Sequence, residues 1–295
     1  MVEGEGFEPS KTEVNGFTAR PIWPLWYPSK GLIFYDQYII GINVQFNILK
    51  LYMQKKTEGI WIGGKHSVLL ALQSKKNRVL EIVIKNSSNA ENIDKIHQDK
   101  IKIKELSFFN KIFRKDEVNH QGFAARIITQ HLKFDDLKRN ISKFKTAILL
   151  EKVYDYRNIG SILRSAYAFG IDTMIVEERN FNLNNPLMYK TSSGAINFIN
   201  IYTVKNIKHA INELKKNNFY LYSFQPKGNV NLNNLKFEEK IALIFGSEDK
   251  GLRESVSKLS DYSVKIPMKN NIESLNLSNA SSIVFYEVYK KKPAE

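Results

Sequence analysis

The segment TAILLEKVYDYRNIGSILRSAYAFG, residues 146–170, contains the pattern that decides the fold. It begins with a continuous apolar run. After a short polar stretch, apolar residues recur every three or four positions, at Ile159, Ile162, Leu163, Ala166 and Phe169. The first pattern is typical of a strand buried on both faces, and the second of an amphipathic helix that Gly170 can end. The segment therefore predicts a strand over Ala147–Glu151 and a helix over Asn158–Phe169.

The same alternation continues to the end of the chain. Further strands are predicted at Thr173–Glu177, Ile199–Val204, Phe219–Phe224, Ile241–Phe245 and Ser263–Ile266, with helices at Ile207–Asn217 and Ser274–Lys290. Apolar strands that alternate with amphipathic helices indicate an α/β fold with a mostly parallel sheet covered by helices on both faces. In such sheets ligands bind beyond the carboxyl ends of the strands, so chemistry is expected there.

A smaller domain is predicted upstream, over residues 53–132. The stretch WIGGKHSVLLALQSKK, residues 61–76, gives a glycine turn and a helix, while Val79–Ile84 and Ile101–Leu106 have strand patterns. This indicates a small α+β domain. The charged segment His131–Lys145 is predicted to be a helical connector to the second domain, residues 146–295.

The first 52 residues differ from the rest of the chain. They hold two of the three tryptophans and show no steady period of two or of 3.6 residues. The stretch GEGFEPSKTEVNGFTARPIWP resembles spurious peptides translated from a transfer-RNA gene. We expect residues 1–52 to be a leader outside the fold, with the natural start at Met53.

Composition excludes several classes of site. The chain has no cysteine, so disulfides, thiolate zinc sites and a cysteine nucleophile are excluded. Its five histidines lack the spacing of a helical metal site, so no metal cofactor is predicted. No apolar run approaches the roughly 18 residues needed to span a bilayer, and no signal peptide is recognisable, which favours a cytoplasmic protein.

The charge of the chain is strongly positive and unevenly distributed. The formal net charge is +14, from 44 Lys and Arg against 30 Asp and Glu. Residues 1–52 contain four basic and five acidic side chains, which leaves 40 against 25 in the rest. Such an excess favours a polyanionic partner such as nucleic acid, although a lysine-rich surface can also serve solubility alone.

Polar side chains are expected at the start of the first helix. Asn158 and Gly160 lie where the chain turns from strand to helix. Asn158 is a good N-cap, and that structural role alone would explain it. Arg164 lies further along the helix between apolar residues, from where it could reach back to the strand end.

A second polar segment is IALIFGSEDKGL, residues 241–252. Gly246 follows the predicted strand directly, and a residue without a Cβ allows a ligand to approach the backbone closely. Ser247 and Glu248 would stand at the carboxyl edge of the sheet.

The third segment is VKIPMKNNIESLNLSNASSIVFYEVYK, residues 264–290. Ser274, Asn276 and Ser278 open a helix that is predicted to bury Ile283 and Val284. The three polar side chains could cap the helix, or they could hold a polar ligand at its N-terminus.

In this order and spacing, the three segments closely resemble the signature motifs of the SpoU (TrmH) family of RNA ribose 2′-O-methyltransferases, most of all the members that act on guanosine in ribosomal RNA. The matching residues are Asn158, Gly160 and Arg164; Phe245, Gly246, Ser247, Glu248, Gly251 and Leu252; and Ile266, Pro267, Met268, Ser274, Leu275, Asn276, Ser278 and Ala280. The loop TSSGA, residues 191–195, is similar to a further family segment. The stretches GIWIGGKHSVLLAL and NHQGFAA look like the small RNA-binding domain of the ribosomal-RNA members.

The resemblance implies a trefoil knot in the C-terminal domain, S-adenosyl-L-methionine as the cofactor, RNA as the substrate and a homodimer formed through the knotted domain. It also implies the residues of the site. The expected catalytic residues are Asn158, Arg164, Glu248, Ser274 and Asn276, with Arg164 held by Glu248 and Asn158. The expected cofactor-binding residues are Gly246, Ile266, Leu275, Met268, Thr191 and Gly194.

Three other functions are open to comparison. The first is binding of a nucleoside triphosphate. Residues 59–66, GIWIGGKH, come within one residue of a phosphate-binding GxxxxGK[ST] loop, but His66 replaces Ser or Thr and no clear strand precedes Gly59. A non-catalytic RNA-binding or ribosome-assembly protein on the same scaffold is disfavoured, because all five expected catalytic residues are present. Transfer RNA is the alternative to large-subunit ribosomal RNA as the substrate.

Overall fold

The computed structural model describes residues 59–113, 119–179, 181–269 and 272–291, and within them the chain forms a four-stranded and an eight-stranded sheet. The expected leader, residues 1–52, and the expected start at Met53 lie outside the described residues. No described helix has the length and apolar character that crossing a membrane requires.

The four-stranded sheet is built from residues 59–129 and has the order β1-β4-β2-β3. Its elements are β1 Ile60–Gly63, α1 Lys65–Gln73, β2 Asn77–Ile84, β3 Ile101–Ile103, α2 Leu106–Ile112 and β4 Phe123–Thr129. The strand predicted over Ile101–Leu106 is wrong beyond Ile103, because Leu106 already begins α2. Ile103 and Leu106 are 57% and 46% exposed, so the alternating pattern there does not mark a buried face.

The eight-stranded sheet follows, with the order β10-β12-β9-β11-β6-β7-β8-β5 and parallel pairing throughout. Its strands are β5 Leu132–Lys133, β6 Thr146–Leu150, β7 Thr173–Glu177, β8 Asn200–Val204, β9 Tyr220–Phe224, β10 Val230–Asn231, β11 Ile241–Phe245 and β12 Tyr262–Lys265. Its helices are α3 Phe134–Asn140, α4 Tyr156–Ala168, α5 Pro186–Thr191, α6 Ile207–Lys216, α7 Glu254–Ser257 and α8 Leu277–Lys291.

Helices cover both faces of this sheet, because successive residues of each buried strand point to opposite sides. In β6, Ile148 and Leu150 belong to the core that contains α4 and α8, whereas Ala147 and Leu149 belong to the core that contains α3 and α6. The predicted α/β fold with a mostly parallel, doubly covered sheet is therefore confirmed. The trefoil knot stays a prediction.

Two expectations for the C-terminal part need correction. The segment His131–Lys145 is more than a helical connector, because β5 within it pairs with β8 and lengthens the large sheet. Ile283 was expected in the core but is 40% exposed, while Phe285, two residues later, is fully buried. The apolar side chains of α8 extend further around the helix than one buried stripe requires.

A polar network joins the small sheet to the loop before β8. Ser74 Oγ donates to the Asn197 carbonyl at 2.7 Å, and Asn77 Nδ2 donates to Asn197 Oδ1 at 2.7 Å. Lys76 Nζ donates to the Phe198 carbonyl at 2.9 Å. Desolvation lowers the pKa of Lys76 to about 8, although nearby Asp172 opposes the shift. These bonds fix the small sheet against the domain that carries the expected site.

Candidate active site

The strands that precede the three sequence motifs end at one edge of the large sheet. β6 and β11 are neighbours, with Leu150 opposite Phe245, and the amide of Glu151 donates to the Phe245 carbonyl at 2.9 Å. β12 lies one strand further out, beyond β9. The loops that follow these strands therefore converge at the carboxyl edge, where parallel sheets bind their ligands.

Asn276 joins the three motifs. Its Nδ2 donates to a carboxylate oxygen of Glu248 at 2.7 Å and to Asn158 Oδ1 at 3.2 Å. The same Glu248 oxygen accepts from the backbone amide of Leu277 at 3.4 Å. Residues far apart in the sequence are thus held in one hydrogen-bonded group, with a carboxylate at one end.

Asn276 also starts α8. Its Oδ1 accepts from the Ser278 amide at 2.9 Å and from Ser278 Oγ at 2.6 Å, so the side chain acts as the N-cap. Of the three polar residues that were expected to cap the helix or to hold a ligand, Asn276 is the cap. Because the cap fixes Oδ1, the Nδ2 group points towards Glu248 and Asn158.

The expectation that Asn158 caps α4 is wrong. The N-cap is Asp155, whose carboxylate accepts from the Arg157 amide at 2.8 Å. The helix begins at Tyr156, so Asn158 lies inside the first turn and is 8% exposed. Its side-chain oxygen is consequently available to Asn276.

Arg164 and Ser274 stand apart from this group. Both side chains are exposed, and among the described residues no hydrogen bond or ion pair joins Arg164 to Glu248 or Asn158. The expected contact of Arg164 with these two residues is therefore absent from this structure. The Arg164 side chain is exposed on the surface of α4.

Position 246 has to be glycine because another part of the backbone passes close to it. A Cβ built there would lie 2.2 Å from the carbonyl carbon of Gly251 and 2.3 Å from the amide nitrogen of Leu252. Residues 247–251 fold back as a turn, in which the Gly251 amide donates to the Ser247 carbonyl at 2.9 Å. The close contact with Gly246 that was expected from a ligand is therefore made by the backbone of Gly251 and Leu252.

The loop after β12 contains three expected cofactor residues. Ile266 and Leu275 are half-buried, and Met268 is 38% exposed. Within the described part of this loop, the structure shows no backbone hydrogen bond for Met268, for Lys269 or for residues 272–275.

Thr191 and Gly194 lie elsewhere. Thr191 Oγ1 donates to the Leu187 carbonyl at 2.9 Å and lies against α4, where a Cβ on Gly160 would approach it to 1.8 Å. Gly194 has a φ of 87° and packs against Leu70 of α1. Both residues have packing roles here, and their assignment to the cofactor stays a prediction.

One ion cluster at this edge was not anticipated from the sequence. Glu151 is 1% exposed and pairs with the guanidinium of Arg253, whose backbone amide donates to the same carboxylate at 3.0 Å. The Arg253 guanidinium also binds Glu177 at 2.9 Å. Its hydrogen bond to Glu151, the largest influence, raises the pKa of Arg253. This cluster anchors the end of the turn that carries Glu248.

The described residues include no group of three or more His, Asp or Glu side chains placed to hold a metal ion. The hydrogen-bonded group itself offers one carboxylate, of Glu248, and two side-chain amides, of Asn158 and Asn276. Such groups can orient a hydroxyl and stabilise charge.

Comparison with known proteins gives consistent results. A family model described as the SpoU rRNA Methylase family matches residues 145–286. A Staphylococcus epidermidis protein named in the TrmH family of tRNA/rRNA methyltransferases is 30% identical over 245 residues, which cover 80% of this chain and 97% of that protein. A Borreliella burgdorferi protein described as an uncharacterized tRNA/rRNA methyltransferase is 34% identical over 184 residues, covering 59% and 80% of the two chains.

Among solved structures, the fold is similar to that of the SpoU methyltransferase AviRb from Streptomyces viridochromogenes in complex with AdoMet. The TM-score is 0.69 at 21% identity, and the match covers 81% of this chain and 92% of that one. At this identity the similarity concerns the fold, which includes the small sheet as well as the large one.

Proposed function

Because the chain belongs to the SpoU (TrmH) family of RNA methyltransferases, we propose that it transfers a methyl group from S-adenosyl-L-methionine to a ribose 2′-hydroxyl of large-subunit ribosomal RNA. The observation that carries this proposal is the group formed by Asn158, Glu248 and Asn276. Asn276 hydrogen-bonds to Asn158, 118 positions earlier in the chain, and to Glu248, 28 positions earlier, so the polar side chains of the three motifs form one group.

The loops after β11 and β12 fit the proposed cofactor. S-adenosyl-L-methionine would supply an electrophilic methyl group. Ile266, Met268 and Leu275 offer apolar surface that is half-buried or exposed, and the peptide groups of residues 272–275 have no backbone partner among the described residues. The turn after Gly246 would contribute to holding the cofactor as well. AviRb, solved with AdoMet, has a similar fold.

The protein's own contribution is proposed to be positioning and charge stabilisation. A methylsulfonium needs little further activation, so an in-line approach of the hydroxyl dominates the barrier. Arginine side chains in proteins carry a positive charge and have no acceptor for a proton, so we propose no general-base role here. We assign Arg164 to the phosphate next to the target ribose and to the negative charge that develops on the ribose oxygen. Glu248, Asn276 and Ser274 would orient the ribose or the cofactor.

The basic excess supports an RNA substrate. Residues 53–295 carry 40 Lys and Arg against 25 Asp and Glu. RNA affinity should therefore fall steeply with salt. The small sheet is the proposed RNA-binding domain, and its polar network with Asn197 would hold a bound RNA in fixed register with the site. A cytoplasmic location stays a prediction.

A homodimer is proposed through α8 and the end of α4. Ile283, Tyr286 and Tyr289 are 40%, 51% and 57% exposed on α8. Phe169 packs against both tyrosine rings, at 5.8 and 5.9 Å between centroids. A second copy that covered these side chains would remove apolar surface from water, and sedimentation of the chain would show twice the monomer mass.

The test is to map 2′-O-methylation in total RNA from a strain that lacks the gene. One 2′-O-methyl group should be missing from large-subunit ribosomal RNA and should return when the gene is restored. Loss from transfer RNA instead would select the alternative substrate. An unchanged map, together with normal RNA binding by the purified chain, would favour the non-catalytic ribosome-assembly protein and overturn the proposal.

A further inference from the structure

The loop between β6 and α4 presents one aromatic side chain to the solvent. Tyr154 lies at the carboxyl edge of the sheet, three residues after the buried Glu151 and four before Asn158 of the candidate site. The side chain is 50% exposed. It therefore stands beside the loops that bring the three motifs together.

The neighbours of Tyr154 each have a structural role. Val153 packs against the core, and Asp155 caps α4. The Tyr156 hydroxyl accepts from the Asn182 amide at 2.6 Å, and its ring packs on Phe181 at 6.2 Å. With its neighbours fixed in this way, the loop holds Tyr154 outward in a defined position.

Left-handed backbone geometry helps to set this position. Lys152 has a φ of 54°, a conformation that costs a residue with a side chain roughly 1 kcal/mol. It turns the chain directly after β6, where Glu151 is held by Arg253. The turn sends Val153 inward and leaves Tyr154 at the surface.

The segment that contains Tyr154 is rich in exposed basic side chains. Lys152, Arg157 and Arg164 are exposed in residues 152–164, and the one acidic side chain in that range is Asp155. Arg157 and Arg164 are seven residues apart on α4, so they share a helix face and stand about 10 Å apart along the axis. Exposed cations thus flank Tyr154 in the sequence, and two of them lie on one face of α4.

We propose that Tyr154 is a stacking platform for an unpaired nucleobase next to the methylated nucleotide, with Arg157 binding the adjoining phosphate. Single-stranded RNA is recognised by stacking on aromatic rings and by cations along its backbone, and both features occur here. The assignment rests on the proposed function and makes Tyr154 a residue that sets target choice. The methylated nucleotide would have to lie in a loop or a bulge.

Binding of single-stranded RNA by the full chain tests this assignment. The probe is a fluorescently labelled 12-nucleotide RNA of mixed sequence, and the readout is its Kd across a series of salt concentrations. Tyr154→Ala should weaken binding by roughly five- to 100-fold, the range for one lost base stack, with Tyr154→Phe close to wild type. The salt slope of Tyr154→Ala should match wild type, because no phosphate contact is lost. Arg157→Ala should lower the slope by about 0.7.

The matched control is Tyr220, which is 43% exposed but begins β9 at the opposite, amino edge of the sheet. Tyr220→Ala should bind the probe as the wild type does. An abasic version of the probe should bind wild type and Tyr154→Ala equally. Equal Kd values for Tyr154→Ala, Tyr220→Ala and wild type on the normal probe would overturn the inference. A Tyr154→Ala protein that is monomeric where the wild type is dimeric would also overturn it, because the loss of affinity would then follow from the loss of the dimer.

Failure of the proposed function would look different. If the wild-type chain methylates no RNA but Tyr154→Ala still weakens RNA binding, the stacking role of Tyr154 stands and the proposed methyltransferase activity is rejected. If Tyr154→Ala methylates ribose with the wild-type kcat/KM, the proposed activity stands and the stacking role of Tyr154 is rejected.

Discussion

Removal of the Arg253 side chain should destabilise the fold more than any ordinary surface substitution. In Arg253→Ala, Glu151 would lose the guanidinium and keep only the backbone amide donor of residue 253. Glu177 would lose its ion pair as well. Because Glu151 is 1% exposed, water cannot freely replace the missing partner.

The magnitude follows from the burial of the two partners. Breaking a buried pair from one side costs about 3–5 kcal/mol, and the 39% exposure of the Arg253 side chain places the expected loss near the lower limit, at about 3 kcal/mol. For a chain of this size that corresponds to roughly 6–12 °C in Tm. Urea denaturation followed by circular dichroism should show a lower midpoint with an unchanged slope.

A matched control separates this effect from the loss of any salt bridge. Lys258 pairs with Glu254 at 2.7 Å, but both side chains are more than 70% exposed. Lys258→Ala should change the free energy of unfolding by less than about 0.5 kcal/mol. The double variant Glu151→Leu/Arg253→Met should be more stable than Arg253→Ala, because no buried charge remains. An Arg253→Ala protein as stable as Lys258→Ala would refute the reasoning.

Three further outcomes are expected. Asn276→Asp keeps the helix cap but cannot donate to Glu248, so methyl transfer should fall as far as in Asn276→Ala, in which loss of the cap should also lower the free energy of unfolding by about 1 kcal/mol; activity retained in the Asp variant would contradict the network. Lys76 has a pKa of about 8 when folded against 10.5 unfolded, so between these pH values the unfolded state binds more protons and stability rises with pH. Urea titrations should therefore show wild type gaining about 1–2 kcal/mol over Lys76→Met across that window, after allowance for its partial exposure, and parallel pH profiles would contradict this. Gly160→Ala should cost about 1–3 kcal/mol because its Cβ meets Thr191 Oγ1, and Thr191→Ala in the same chain should recover part of the loss measured by thermal unfolding.

The strands of the large sheet could be predicted closely from the sequence. Thr173–Glu177 and Ile241–Phe245 begin and end where the pattern placed them. A strand buried on both faces leaves a continuous apolar run that polar residues interrupt sharply at each end. The short β3 failed this test, because an edge strand with exposed residues leaves no such signal.

The cap of α4 shows where local patterns become ambiguous. Asp155 and Asn158 are both good N-cap residues, three positions apart, and the sequence does not say which one precedes the first helical turn. The structure starts the helix at Tyr156, whose hydroxyl is bound by the Asn182 amide. With Asp155 as the cap, Asn158 lies within the first turn, and its side chain hydrogen-bonds to Asn276 instead.

The cluster around Arg253 could not be predicted from the sequence, because Glu151 and Arg253 are 102 positions apart and neither lies in a recognisable pattern. Gly246 posed a related problem. A missing Cβ indicates that something approaches the backbone, but the sequence cannot distinguish a ligand from residues 251 and 252 of the same chain.

The most direct test of the proposed function is the chemical identity of the methylated product. The purified full chain is incubated with methyl-labelled S-adenosyl-L-methionine and unmodified large-subunit ribosomal RNA, and the RNA is digested to nucleosides for mass spectrometry. The label should appear in a single 2′-O-methylnucleoside, and Arg164→Ala should reduce its rate of formation by about 10²-fold or more with cofactor binding nearly unchanged. Label on a base, or an Arg164→Ala enzyme as fast as wild type, would contradict the account.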